Sequence, residues 1–137
     1  MVDESHPGDA ACPFCQIDGA RVFLATDAVL GIWDAFPVSP GHALLIPRRH
    51  VATWFEASPA ERQALAAAIS DAQLIIEARA RSQGELPPDG YNVGFNAGEA
   101  AGQTVFHAHV HIIPRYRGDS PSPRGGVRAV IPGKAGY

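Results

Sequence analysis

Three histidines at alternate positions, His107-Ala-His109-Val-His111, are the residues of this chain best suited to chemistry. On a β-strand successive side chains point to opposite faces, so all three imidazoles share one face with Cβ atoms roughly 7 Å apart. Ala108, Val110 and Ile112 then face a core. Wound as a helix, the same residues would scatter the rings around the cylinder. Such a row has three readings. It is an exposed polar strand face, or a metal site in which His-x-His offers two nitrogens to one ion, or a catalytic row. In the last, a neutral imidazole is the nucleophile and its neighbours fix its tautomer and move protons. The preceding segment, Gly98-Glu-Ala-Ala-Gly102-Gln103-Thr104, favours catalysis. Its small residues, backbone N–H groups, amide and hydroxyl can approach a phosphate closely. A two-metal hydrolytic site would want several carboxylates, and Glu99 is the only acid close in sequence. A metal-dependent phosphohydrolase using all three histidines is therefore the less favoured alternative.

Cys12-Pro-Phe-Cys15 is the second constellation. A redox pair is expected to open a helix after a strand, whereas this one sits in a Pro-Phe turn. A standing disulfide does not suit a reducing compartment. Two thiolates need two more ligands to close a zinc site, and His50 and His107 are the candidates. Four closed ligands make such an ion structural, tying the N-terminal segment to the histidine row. His107 then acts by position and not as a free proton carrier. Two inert buried thiols is the plain alternative.

The elements that must hold these residues are short strands and one long helix. Arg21–Leu24 and Ala28–Trp33 are rich in β-formers and flank a Thr26-Asp27 turn, which predicts a hairpin. His42–Ile46 is a third strand stopped by Pro47, Tyr91–Asn96 a fourth, and Val105–Ile113 the fifth, ended by Pro114. Ser58-Pro59-Ala60-Glu61 is a capping box with proline at the first helical position. Apolar residues then recur three and four apart through Leu65, Ala68, Ala72 and Ile76, predicting a helix over Ala60–Ser82 that Ser82-Gln83-Gly84 ends. Trp54 and Phe55 read as core packing first and a dimer contact second. The whole predicts an α+β domain with a mainly antiparallel five-stranded sheet and one long helix. Residues 1–11 are expected to be a flexible leader, 12–117 the folded domain, and 118–137 an extended tail rich in Pro, Gly, Arg and Ser.

Composition narrows the classes. The chain has 137 residues, 46% hydrophobic and 18% charged, enough for one domain with a real core. Its longest apolar run, Ala64–Ile69, is far short of the roughly 20 residues of a membrane span. The polar, acidic first residues do not resemble a signal segment, so a cytoplasmic protein is expected. A net charge of −3 argues against a general nucleic-acid binder.

Gly102-Gln-Thr-Val-Phe-His107-Ala-His109-Val-His111-Ile-Ile-Pro-Arg115 resembles the signature of the histidine triad (HIT) nucleotide hydrolases and transferases. The likeness continues at Asp34, Pro40-Gly41-His42 and Ile46-Pro47-Arg-Arg-His50, and covers about Cys12 to Arg115. It implies a HIT-like fold, a homodimer joined through its sheets, and a nucleotide substrate. It implies that His109 attacks the α-phosphorus of a phosphoanhydride or phosphoramidate, giving a nucleotidyl-histidine that water resolves. His107, His111 and His42 would orient that ring and manage protons. Asn96, Gln103 and Thr104 occupy positions resembling the phosphate and leaving-group contacts. Asp34 matches the ribose acceptor, and Phe14, Ile32 and Trp33 lie near the expected base pocket. Cys12, Cys15, His50 and His107 resemble the zinc pattern of some prokaryotic members; no catalytic cofactor is implied. Thr104 and Pro114-Arg115 look more like the dinucleoside polyphosphate hydrolase branch than the phosphoramidase branch. The alternative is a zinc-stabilised nucleotide-binding adaptor with little turnover.

Overall fold

A computed structural model describes residues 11–136. Five strands form one antiparallel sheet: β1 (Val22–Ala25), β2 (Val29–Trp33), β3 (Ala43–Pro47), β4 (Gly90–Gly94) and β5 (Val110–Arg115). The spatial order is β1-β2-β3-β5-β4, so the connection from β3 to β5 carries both the helix α1 (Pro59–Ser82) and the edge strand β4. The hairpin of β1 and β2 turns where Thr26 and Val29 exchange hydrogen bonds.

The predicted capping box starts α1. Glu61 N–H donates to Ser58 Oγ at 3.1 Å and Ser58 N–H donates back to Glu61 Oε1 at 2.8 Å. Leu65, Ala68, Ala72, Ile76 and Ala80 form its buried stripe, and its alanines let the helix approach the sheet closely. That stripe packs on Val29, Ala43, Leu45, Val110 and Ile112. Alternation along the strands sends the intervening residues to the other face, where Ile32, Leu44 and Ile46 pack with Phe14, Ile17 and Val22. One face thus holds the main core and the other carries the histidines. Among the described residues no helix is long and apolar enough to cross a membrane.

The histidine strand differs from its prediction. It runs from Val110 to Arg115, so His107 and His109 lie ahead of it. The cause is a local competition for hydrogen bonds: Ala108 N–H donates to Val51 O at 2.7 Å, holding this stretch on the loop after β3. Ala108 accordingly packs with Val51 and Ala57, while Val110 and Ile112 meet the helix as expected. Pro114 does not end the strand. β3 pairs only with Val110–Ile112, so Pro114 has a single neighbouring strand, and its missing N–H breaks no ladder bond.

The leader expected over residues 1–11 lies, except for Ala11, outside the described residues. The segment expected to be extended beyond residue 117 instead includes a short 3₁₀ helix, Gly126–Val130.

Candidate functional site

Two groups of side chains meet on the histidine face. In the first, Cys12, Cys15, His50 and His107 bring four donor atoms within 4.8 Å of one another. His107 is fully buried. Its Nε2–H donates to the Pro47 carbonyl at 2.8 Å, which leaves Nδ1 with a lone pair. That nitrogen lies 3.6 Å from each cysteine sulfur and 3.2 Å from His50 Nδ1. A four-coordinate ion with bonds of ~2.3 Å to sulfur and ~2.0 Å to nitrogen would separate S and N by about 3.5 Å and two N by about 3.3 Å. The His107 spacings lie close to that tetrahedron, while Cys15 Sγ and His50 Nδ1, 3.0 Å apart, stand about half an ångström closer than it requires. His50 turns Nδ1 to the cluster, 3.0 Å from Cys15 Sγ, and its buried Nε2 has no hydrogen-bond partner among the described residues. Burial also pushes the Cys12 thiol above its ordinary pKa, a cost that a bound cation would offset.

In the second group His109, His111, His42 and Asp34 form a chain. His109 Nδ1–H donates to the His107 carbonyl at 2.8 Å, leaving Nε2 as the lone-pair nitrogen. His111 follows, with ring centroids 5.1 Å apart. His111 Nδ1 lies 3.0 Å from His42 Nε2, which is also 3.4 Å from Asp34 Oδ2. The proton on that relay is assignable. Val38 N–H donates to His42 Nδ1 at 3.1 Å, so the neutral ring carries its hydrogen on Nε2 and donates towards His111 or Asp34. These three residues also have metal-ligand spacing. Coordination through His42 Nε2 would, however, require an imidazolate, because the other nitrogen already accepts an N–H. The arrangement could pass a proton between His111 and His42 beside Asp34.

Electrostatics keep the rings neutral at pH 7. Burial lowers the pKa of His42, His107 and His109, opposed by Asp34 at His42, by the Pro47 carbonyl at His107 and by the His107 carbonyl at His109. Burial and the neighbouring His109 and His42 push His111 down to about 4. A row of neutral imidazoles with one free Nε2 is chemically a nucleophile with a relay beside it.

A family profile, HIT domain, matches residues 17–118. The chain belongs to the HIT family. An adenylylsulfatase of Arabidopsis thaliana is 38% identical over 112 residues, which are 79% of this chain and 54% of that protein. An asymmetrical bis(5'-nucleosyl)-tetraphosphatase of Schizosaccharomyces pombe is 36% identical over 101 residues, 74% of this chain and 52% of that protein. The chain thus spans about half the length of these two relatives. A zinc-bound histidine triad family protein from Mycobacterium smegmatis superposes with a TM-score of 0.64 at 36% identity, covering 82% of this chain and 80% of that one. Family membership supports a nucleotide-processing hydrolase or transferase.

Other HIT positions fall in different places. Phe14 lies edge-on to His109 at 4.9 Å and borders a cavity of about 300 Å³ with Ile17, Val22, Leu30 and Arg48. Ile32 shares that apolar patch. Trp33 does not. As the next residue on β2 it points to the helix face, against Phe23 and beneath the Arg79 guanidinium. Gln103 is buried and its amide is wholly engaged with backbone. Oε1 accepts from Gly98 N–H, and Nε2 donates to Ala52 O and Val105 O. It shapes the 98–103 loop and has no group left for a phosphate. Thr104 is exposed beside Cys12, His50 and Phe106. Asn96 joins His42 and His111 along a cavity of about 360 Å³. Trp54 stacks on Phe95 at 5.3 Å, and Phe55 remains exposed at its edge.

Sequence reasoning missed five residues that border these groups: Pro47 through its carbonyl, Val38 through its N–H, Ile17, and Val127 and Val130 at the Asn96 cavity. Ile17 could have been found from its place two residues after Cys15. The backbone groups carry no residue-type signal.

Proposed function

We propose that the chain hydrolyses or transfers nucleotidyl groups, cleaving a phosphoanhydride or phosphoramidate bond at the α-phosphorus through a nucleotidyl-His109 intermediate. The observation that carries this reading is the free Nε2 of His109, with Nδ1–H spent on the His107 carbonyl. His109 Nε2 forms the bond to phosphorus while the bond to the leaving oxygen or nitrogen breaks, its electron pair staying with the leaving atom. Binding of the anionic phosphate favours a charged His111, which then gives its proton to that atom. Water attacks next, returning a proton to His111 as the phosphorus–Nε2 bond opens. Asp34 and His42 hold His111 in the required tautomer. A covalent step lets one site accept chemically different leaving groups, which agrees with the names of the adenylylsulfatase and tetraphosphatase relatives. The base is placed in the Phe14–Ile17 cavity, and Asp34 at the ribose.

Zinc is the ion we assign to Cys12, Cys15, His50 and His107. Filling all four positions, it would cross-link the N-terminal segment to the histidine row and leave no open coordination site. Thiols kept as metal donors suit a cytoplasmic location. We assign a homodimer to β4, which among the described residues has no strand on its outer edge and carries exposed Val93.

Intact-mass analysis after rapid mixing with a dinucleoside tetraphosphate or a nucleoside phosphoramidate tests the reading. One nucleotidyl adduct mapping to His109 is expected, with no adduct and no turnover in His109→Ala. Turnover that persists in that variant overturns it, and nucleotide binding without any release favours the adaptor reading instead.

A further inference from the structure

One cation borders the Phe14 cavity. Phe14, Ile17, Val22 and Leu30 give that cavity apolar walls, and Arg48 stands at its edge. The sheet explains why an arginine arrives there. Leu30, Ile32 and Asp34 alternate along β2 and the residue after it, so their side chains share the histidine face. On β3 Leu44 and Ile46 share that face, in register with Ile32 and Leu30, and Arg48 is the next position of the series. Asp34 and Arg48 therefore stand at opposite ends of one apolar track. From Val29, the partner of Pro47, to Asp34 the strand rise amounts to about 17 Å. A nucleoside with its ribose at Asp34 and the long Arg48 side chain together bridge that span.

Arg48 is anchored without being used up. Its main-chain N–H donates to Ala28 O at 2.9 Å and its Nε–H to Thr26 O at 2.6 Å, which pins the side chain against the β1–β2 turn. The two terminal nitrogens make no hydrogen bond among the described residues, and the residue is exposed. A guanidinium offers donors only, and no carboxylate or amide side chain borders the cavity. Cys15, its remaining neighbour, turns its sulfur to the metal-ligand set. The reacting phosphate belongs at the other end of the track, at His109 beside the His111 and Asp34 group. What Arg48 meets is therefore the far end of the nucleoside.

A fork of donors with no acceptor beside it discriminates between bases. Guanine and hypoxanthine present O6 and N7, two acceptors side by side, and arginine meets that pair with two N–H groups. Adenine presents N7 next to an N6 amino donor, and cytosine also presents an amino donor, so either would set N–H against N–H. We infer that Arg48 makes this cavity selective for 6-oxopurines through a two-point contact to O6 and N7, so that guanosine nucleotides are the preferred nucleotidyl donors. The inference rests on the base position proposed above and adds the group that reads the base. Arg48 is exposed, so water competes for its N–H groups. The expected preference is about tenfold, towards the lower end of a bidentate arginine–guanine contact.

The test is calorimetric binding of GMP, IMP and AMP to the full chain, with Arg48→Ala and Arg48→Gln as variants. GMP and IMP should bind about tenfold more tightly than AMP. Arg48→Ala should bring both ratios close to one, through lost affinity for GMP and IMP. Arg48→Gln, whose amide both donates and accepts, should move the preference towards AMP. With nucleoside phosphoramidates as substrates, kcat/KM for guanosine over adenosine should follow the same order across the three proteins. Equal binding of GMP and AMP by the intact chain overturns the inference, as does a preference that Arg48→Ala leaves in place. IMP that binds like AMP also overturns it, because the 2-amino group would then carry the preference. Equal weakening of all three nucleotides in Arg48→Ala overturns it in favour of a phosphate contact. In each of these cases a His109 adduct would still stand, so the two readings fail separately. Absence of any nucleotide binding overturns both.

Discussion

Acid should unfold this protein through its histidine row, and His111 offers the sharpest way to measure it. Its folded pKa is pushed to about 4 from an ordinary 6.5, chiefly by burial. Between those values the unfolded ring binds a proton that the folded ring refuses, so stability falls as the pH drops from 6.5 to 4. Taken alone, the shift removes about 2.5 kcal/mol between pH 7.5 and pH 4.5. Neighbouring His42 and His109 carry part of it, so His111→Gln should narrow the difference by about 2 kcal/mol. Glu61 and Asp119, held near 2 by Arg49 and Arg115, lose their contribution at lower pH and leave this window to histidine. Urea denaturation of both proteins at the two pH values is the assay. Parallel losses in wild type and His111→Gln would refute the claim that desolvation holds this ring neutral.

Three further outcomes test other parts of the structure. Free zinc at a hundred times its Kd should stabilise the chain by about 2.7 kcal/mol, and Cys15→Ser should abolish that gain in thermal denaturation with and without a chelator. Ser58→Ala removes the side-chain half of the α1 capping box and should cost about 1 kcal/mol in urea denaturation. Gln103→Leu leaves Gly98 N–H and two carbonyls without their partner. It should cost about 1–3 kcal/mol and speed amide exchange across residues 98–103.

Local signals were legible wherever one segment settles its own hydrogen bonds. The capping box at Ser58 and the three-four spacing after it placed α1 to within a residue, because both depend on neighbours in sequence. Alternation placed Val110 and Ile112 of β5 against the helix for the same reason. What failed depended on distant partners. His107 and His109 fall outside β5 because Val51, more than fifty residues earlier, takes the Ala108 N–H. The resemblance puts Trp33 near the base pocket, but strand alternation sends it to the face opposite Ile32. Pro114 sits inside a strand because β3 pairs with only part of β5. The resemblance gives Gln103 a phosphate or leaving-group contact, whereas the loop it closes engages its whole amide. The metal-ligand set was readable in residue type, and only the fold shows all four donors converging.

The two clusters are coupled through a single residue. His107 offers Nδ1 to the metal-ligand set, Nε2–H to Pro47, and its carbonyl to His109 Nδ1–H. Every polar atom of that imidazole is thus assigned, and the ring has no proton to exchange. The same reasoning passes along the row. The carbonyl makes His109 an Nδ1–H tautomer, and Val38 N–H makes His42 an Nε2–H tautomer. That donor in turn leaves His111 to carry its own hydrogen on Nε2. His107 and His42 have both ring nitrogens engaged, whereas His109 has one tied to a carbonyl and Nε2 left over, so similar side chains stand in different hydrogen-bonding states. The pattern is dictated by backbone groups at residues 38, 47 and 107, so it survives changes in side chains around it. A substitution that reorients any of those three peptide units should therefore disable the row even with every histidine in place.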